Sequence, residues 1–442
     1  FKIGVFVNIV IIGTGYVGLP SGVGFAQLGH NVTCVDIDVD KINILRQGNI
    51  PIFENDLEIA FREVVNSRLF FTTSYSCINN ADIVILAVGT PQLNNSGSVD
   101  LRYIDDAIIE IAKNLCKDKN LVLAIKSTVP VGTSDQIEHK FNTFNLNVNI
   151  VSLPEFLREG YALVDFYNPD RVIIGSNSDK ASKVLKELYS HIDSSKILIT
   201  SRKSAELIKY ASNSFLAMKI HFINEMADFC EKSGANINEV ALGIGFDSRI
   251  GDKFLNPGPG YGGSCFPKDT LAMLEMARKC KVELSLLKAT IEGNNRRRFK
   301  IIDNIEYILK NVENPKIGIL GLAFKGGTDD CRQSPALEIT KELIKKYENI
   351  NVYDPKAMKN ASKILKNNVN YFNSIYECSN KCDLLVILTE WDEFKDIDFN
   401  LLSNKIKTKI IYDTRNIVNL KLAAEYNFKI INIGKSGDSY EY

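Results

Sequence analysis

Residues 8–20, Asn8-Ile-Val-Ile-Ile-Gly13-Thr-Gly15-Tyr-Val-Gly18-Leu-Pro20, decide the fold. A β-branched apolar run stops on a glycine turn, and the residues after it begin a helical pattern. That strand, turn and helix context lifts a G-x-G-x-x-G match above chance. The glycines permit a tight turn and a close approach by an anion to the helix N-terminus, where unpaired N–H groups and the helix dipole favour negative charge. Eighteen residues after Gly18, Asp36 ends a second apolar run and is placed to accept from ribose hydroxyls. An acid there favours NAD, because a 2′-phosphate would meet a like charge, although Lys41 works against that discrimination.

Reading outward, strand-like runs alternate with helical or loop stretches: residues 8–12, 32–35, 83–88, 121–126 and 148–151, with 171–175 and 196–199 as a further pair. Short β-branched runs separated by helices predict a parallel, doubly wound sheet. From Ser204 to Ser233 the period changes. Ile208, Ala211, Phe215, Met218, Phe222, Met226 and Phe229 recur every three or four residues, which predicts one long amphipathic helix stopped near Gly234. Such a helix bridges two domains or supports a dimer; two shorter helices broken at Ser212 to Ser214 are the alternative. After a helical segment ending near Lys310, Asn314-Pro315 punctuates the chain. A second α/β series follows, with strands expected at 317–320, 352–353, 384–388, 410–412 and 430–433. The expected architecture is α/β: two Rossmann-like doubly wound domains, 1–203 and 311–442, joined by a long central helix and helical middle region, 204–310.

The chain's 442 residues support two or three such domains. Its 53 Lys+Arg balance 53 Asp+Glu, so no basic field exists to grip nucleic acid or a membrane surface, and neither is an expected partner. Nine scattered cysteines, an odd number without a Cys-x-x-Cys pair, read as reduced cytoplasmic thiols. With four dispersed histidines they form no zinc pattern, and no metal is expected. The first residues carry a Lys before an apolar run, yet no small-residue cleavage site follows, so the run reads as a buried first strand behind seven residues of open origin. No later run is long and apolar enough to predict a membrane span.

Three stretches away from the fingerprint carry polar groups. KSTVPVGT (126–133) ends a strand, where ligands of open α/β sheets bind. SLPEFLREGYALVDFYNPDR (152–171) offers Glu155 and Glu159, which are equally surface charges or caps. Lys209 and Asn213, four apart on the long helix, point from one face, the alternative being an ordinary solvated face. In PGPGYGGSCFPKDT (257–270), a cysteine stands behind Gly, Pro and Ser. A free cysteine is more often a small buried hydrophobe, but here a flexible glycine loop would admit a substrate and Lys268 would favour the thiolate.

With those residues in view, the sequence resembles the nucleotide-sugar dehydrogenase family over nearly its whole length. The motifs GTGYVGLP, LAVGTP, KSTVPVGT, PEFLREGYALVDF, AELIKYASNSFLAMKIHFINE, RIGDKFLNPGPGYGGSCFPKD, GLAFKGGTDDCRQSPA and VYDP follow in the family's order. The resemblance implies an NAD domain, a helix used in dimerisation and a C-terminal domain for the UDP-sugar. It also implies oxidation of a primary alcohol to a carboxylate with two NAD.

By motif, Cys265 would be the nucleophile, Lys209 and Asn213 the oxyanion donors, Glu159 with Thr128 the water-holding pair, and Asp269 a proton carrier. The cofactor contacts would be Gly13, Gly15, Gly18, Asp36, Lys41, Thr90, Lys268 and Arg332. The substrate contacts would be Glu155, Phe156, Leu157, Phe254, Leu255, Tyr261 and Lys325, with Arg249 lent across a homodimer. Ser264 before the thiol and Phe266 after it resemble the UDP-glucose branch and differ from the UDP-N-acetylmannosamine pattern; a sibling acting on GDP-mannose or UDP-N-acetylmannosamine is the alternative. A non-catalytic NAD-binding regulator is the reading of another class. Leu153, Gly326-Gly327 and Gln333 depart from the family pattern and bear on loop stiffness.

Overall fold

In the computed structural model, which describes residues 6–93 and 97–435, the run after Val7 is a strand with four of its five residues buried. The strands of the first sheet are β1 (Asn8–Ile12), β2 (Asn31–Val35), β3 (Leu69–Thr72), β4 (Ile83–Leu86), β5 (Leu121–Ile125), β6 (Val148–Ser152), β7 (Val172–Ser176) and β8 (Ile197–Thr200). They lie in the order β3-β2-β1-β4-β5-β6-β7-β8, so the winding reverses between β1 and β4. Ile9 and Ile11 enter one apolar layer while Val10 and Ile12 enter the other. Both faces are therefore covered, which is why these strands are continuous apolar runs and not alternating ones.

Two features differ from the expected sheet. β7 pairs antiparallel with β6, through Val151 with Ser176 and Ser152 with Gly175. The helix between them, Ala162–Tyr167, has six residues, giving roughly 9 Å of rise against roughly 16 Å for a five-residue strand. The next strand starts at the end of the sheet where the last one ended. β3, not foreseen, is a four-residue edge strand paired to β2 alone.

The second sheet contains β9 (Lys316–Leu320), β10 (Asn349–Tyr353), β11 (Asn370–Tyr371), β12 (Leu384–Ile387), β13 (Ile410–Asp413) and β14 (Lys429–Asn432). Its order is β11-β10-β9-β12-β13-β14 with every pair parallel, and its own reversal falls between β9 and β12. The helix Ser285–Leu309 packs Ile301, Ile302, Ile305 and Leu309 into the same core as Ile317 and Ile319.

The long helix is continuous from Arg202 to Ser233. Ser212 does not break it, because its hydroxyl receives Arg171 Nη2 at 3.2 Å instead of competing for the helix backbone. Gly234, at φ +84°, ends it and donates its N–H to Cys230 O. By internal contacts the chain forms two compact units. One runs to Ser212 and takes in Glu275–Lys281; the other comprises Asn213–Leu274 and the residues from Val282 onward. Among the described residues no helix is long and apolar enough to cross a membrane, and no group of His, Cys, Asp and Glu is disposed to hold a metal. Residues 1–5, part of the segment of open origin, and 436–442 lie outside the described residues.

Candidate active site

In the first unit the glycine turn sits at the carboxyl end of β1, beside the reversal of the sheet. A Cβ on Gly18 would lie 1.9 Å from Gly13 O, so helix and turn meet in a way that any side chain would prevent. A Cβ on Gly15 would meet nothing within 4 Å. The fold does not require that glycine, and its bare backbone is a cradle a methyl would fill, as a pyrophosphate site needs. Asp36 Oδ2 accepts from Thr14 N at 2.9 Å, Thr14 Oγ1 at 2.6 Å and Lys41 Nζ at 3.1 Å, while Oδ1 accepts one bond, from Asp38 N at 3.1 Å.

Burial pushes the Asp36 carboxyl up, but the Thr14 and Asp38 hydrogen bonds and the Lys41 ammonium outweigh it and hold the group below its ordinary value. The carboxylate is thus anionic, oriented from below, with Oδ1 left to receive a hydroxyl. Lys41, tied to Asp36, is not disposed to greet a 2′-phosphate. Removing the carboxylate deletes a charge-assisted acceptor contributing about 1.5–3 kcal/mol. Asp36→Ala is therefore expected to weaken NAD at least tenfold in a calorimetric titration. An unchanged affinity would remove Asp36 from the site.

Further along the same sheet, Lys126 leaves β5 and forms a buried ion pair with Glu155 Oε2. Burial lowers the ammonium's pKa, but Glu155 and Tyr189 overcome that and raise it above the ordinary lysine value. Glu155 Oε1 receives Phe156 N at 2.5 Å and Leu157 N at 2.6 Å. Glu155 is buried and lies at no helix end, so neither a surface charge nor a helix cap describes it: the side chain closes its own turn, with Phe156 and Leu157 half-buried beside it. The Phe156 ring receives Arg171 Cζ at 4.0 Å and Lys209 Nζ at 5.2 Å from its centre. Lys209 is 7% exposed, and among the described residues no carboxylate pairs with it. A solvated face does not describe such a lysine. Thr128 O accepts from Thr90 Oγ1 at 2.9 Å, and Gly160 N, next to Glu159, donates to both oxygens of buried Glu54 at 2.8 Å.

In the second unit the thiol loop is closely packed, not open. Residues 257–263 are all buried, and Cys265 beyond them is exposed. A Cβ on Gly262 would meet Gln333 O at 2.3 Å, and one on Gly263 would meet the Phe324 ring at 2.7 Å. The glycines serve close packing, and the thiol is raised on a filled base. Cys265 immediately precedes the helix Phe266–Lys279, and its carbonyl accepts from Asp269 N at 2.8 Å. The positive end of that helix favours an anion at the sulfur. Lys268 Nζ meets Asp269 Oδ1 at 2.5 Å, and Asn213 Nδ2 donates to Asp269 Oδ2 at 2.6 Å. Asp269 is fully buried between them, so part of the lysine's charge is spent on the carboxylate and not on the thiol.

Around this loop, Phe266 packs near both Phe254 and Tyr261, each ring centre 6.1 Å away. Phe254 has φ +66°, a conformation costing an aromatic residue about 1–3 kcal/mol and found where the surroundings over-determine it. Leu255 and Tyr261 are buried; burial pushes the Tyr261 hydroxyl up to about 12 against Thr270 and Arg298, so it stays a neutral donor. Arg249 is exposed and forked onto Asp247, Arg332 is forked onto Asp330, and Lys325 lies 5.7 Å from the Phe324 ring centre.

Arg415 was not foreseen. It stands two residues past β13, donates Nε to Leu388 O at 2.9 Å, pairs with Glu390, and lies against Gly258. The rule that ligands bind at strand carboxyl ends picked out Lys126 in the first sheet; applied to DTRN (413–416) in the second, it would have found this guanidinium.

Each candidate therefore has a unit. Gly13, Gly15, Gly18, Asp36, Lys41, Thr90, Thr128, Glu155, Phe156, Leu157, Glu159 and Lys209 belong to the first. Asn213, Arg249, Phe254, Leu255, Tyr261, Cys265, Lys268, Asp269, Lys325 and Arg332 belong to the second.

Residues 7–193, 203–296 and 318–420 match, in turn, the NAD binding, central and UDP binding domains of the UDP-glucose/GDP-mannose dehydrogenase family. The UDP-glucose 6-dehydrogenase of Rhizobium meliloti (strain 1021) is 45% identical over 437 residues, covering 97% of this chain and 99% of the relative. That of Rickettsia conorii (strain ATCC VR-613 / Malish 7) is 42% identical over 431 residues, with the same two shares. The solved structure of a UDP-glucose dehydrogenase from the hyperthermophilic archaeon Pyrobaculum islandicum superposes with a TM-score of 0.90 at 33% identity, covering 99% of both chains.

Proposed function

The chain belongs to the UDP-glucose/GDP-mannose dehydrogenase family, and from that premise we propose that it oxidises UDP-glucose to UDP-glucuronate with two NAD, through a thioester on Cys265. The observation that carries the covalent route is the exposed thiol at a helix N-terminus on a buried glycine base. NAD, when bound, supplies the hydride acceptor for both oxidations. The glycine turn would hold its pyrophosphate, with the bare backbone of Gly15 as the approach, and Asp36 Oδ1 would accept from its ribose.

The chain's own residues shape the rest. The first oxidation leaves an aldehyde at C6, which surrenders hydride poorly. Bond formation between Cys265 Sγ and that carbon turns the carbonyl into an alkoxide, which takes up the proton released by the thiol and becomes a thiohemiacetal. This tetrahedral centre resembles an alcohol, so the second oxidation becomes like the first. Loss of its C6 hydride and hydroxyl proton gives a thioester. Water then adds, the C–S bond breaks, the thiol regains a proton and the carboxylate departs.

The Lys209 ammonium, which no carboxylate pairs with among the described residues, suits a developing alkoxide. Asn213 is held by Asp269 with its second N–H still to give. Asp269 would pass protons near the thiol, and Thr128 with Glu159 would hold the water. Lys325, Arg249, Tyr261 and the 155–157 turn are assigned to the UDP-sugar, as are Phe254 and Leu255; Lys268 and Arg332 are assigned to the cofactor. The segments 1–203, 204–310 and 311–442 divide these duties as cofactor, central and UDP-sugar domains.

We further propose a homodimer or a higher homo-oligomer. Phe215, Phe222 and Phe229 recur every seven residues and are exposed, an apolar stripe that a second copy would cover. Sedimentation velocity at micromolar concentration tests this, and a monomer would end the idea. A nucleophilic thiol works in a reducing compartment, which favours the cytoplasm. The function itself is tested by counting NADH per UDP-glucose with excess NAD. Two equivalents support the four-electron reaction. One would mean an aldehyde product, and none would direct the search to sibling nucleotide sugars.

A further inference from the structure

In the second unit, residues of two helices grip the thiol loop by its backbone. From the long helix, Asn224 Oδ1 accepts from Gly258 N at 2.8 Å. From Ser285–Leu309, Asn294 Oδ1 accepts from Tyr261 N at 2.8 Å, and its Nδ2 donates to Tyr261 O at 3.1 Å. One turn on, Arg297 Nε donates to Gly258 O at 2.9 Å, and its guanidinium is itself paired with Asp228, one turn beyond Asn224. Each helix thus offers two residues at i, i+3 or i, i+4 spacing, the arrangement that places them on one face. All of Asn224, Asn294 and Arg297 are buried.

Gly260 closes the fit: at φ +112° it lies under Asn294, where a Cβ would stand 2.6 Å from Oδ1. The amide of Asn294 pairs with Tyr261 as a neighbouring strand would, holding N–H and C=O together. None of these groups touches the thiol. They fix the backbone four residues before it, and the tight contacts of Gly262 and Gly263 transmit that placement to Cys265.

We propose that Asn294 is a positioning residue for the nucleophile, acting with Asn224 and Arg297 through the backbone of Gly258 and Tyr261. This rests on the reading of Cys265 as the group that captures the aldehyde. The thiol must reach one carbon in one orientation, while the first oxidation does not require sulfur at all. Displacing the loop by a fraction of an ångström should therefore slow the second oxidation more than the first. Asn294→Ala loses both bonds to Tyr261, whereas Asn294→Asp keeps the acceptor for Tyr261 N and loses the donor.

The test has two arms on purified full-length protein. In the first, the rate at which iodoacetamide modifies Cys265 is followed by peptide mass spectrometry, without any sugar. Asn294→Ala is expected to change it at least threefold, with Asn294→Asp between that variant and wild type. In the second, NADH per UDP-glucose is expected to fall below two in Asn294→Ala, with free aldehyde captured by hydroxylamine, while NAD affinity stays within twofold. Unaltered alkylation together with a stoichiometry of two would overturn the proposal.

If Asn294→Ala does not fold, Asn224→Ser removes a bond at the other end of the loop and is held to the same expectations. A wild type that makes no NADH from UDP-glucose would defeat the proposed function instead. The alkylation arm would still decide whether Asn294 sets the thiol's placement.

Discussion

Cys265→Ala is expected to form no UDP-glucuronate: four-electron turnover should fall roughly a thousandfold or more, as when other covalent enzymes lose their nucleophile. NAD affinity should remain within twofold, because the glycine turn and Asp36 belong to the first unit and are untouched. At most one NADH per sugar should appear, with the aldehyde held or released. The surroundings make this a clean deletion. Cys265 is exposed and its base is filled by the residues before it, so removing Sγ opens no cavity and should leave the melting temperature nearly unchanged. Two NADH per sugar from this variant would refute the thioester route outright.

Lys209→Met should lower kcat at least tenfold with little change in NAD affinity. Methionine keeps most of the stem's length and contacts, so the variant chiefly removes the charge. A buried ammonium whose contact is the face of Phe156, with no carboxylate among the described residues, is a poor structural device. The ring contributes about 0.5–2 kcal/mol, against the several kcal/mol that an anion could add in a dry site. The expected pattern is a loss in kcat that exceeds any rise in KM, because the alkoxide exists only on the way to the transition state. An unchanged kcat would leave Lys209 as a support for the Phe156 turn and nothing more.

How far the sequence reached depends on the distance over which each feature is encoded. The fingerprint was legible because Gly13, Gly15, Gly18 and the run before them are contiguous, and Asp36 sits at a fixed offset. The long helix was legible from its period. β11, two residues long, has no period to detect, and the direction of β7 is set by how the 153–171 connection packs, a tertiary outcome. The glycine loop misled for a related reason. Gly and Pro together suggest freedom, yet the atoms that confine them belong to Asn294, Phe324 and Gln333, 34, 61 and 71 residues beyond Gly260, Gly263 and Gly262. Glu155 had three open readings because its partner Lys126 follows another strand, 29 residues earlier. Arg415 was missed by an uneven application of a rule, not by want of a signal.

The glycine triplet of the first turn divides the labour between architecture and guest. A methyl on Gly18 would strike the chain's own carbonyl and register as a lower melting point, whatever the solution contains. The same methyl on Gly15 would strike nothing that the protein owns. Only an incoming molecule could notice it, so alanine at that position would make a folded protein blind to its coenzyme, and the difference between the two variants would separate what the turn does for the fold from what it does for its visitor.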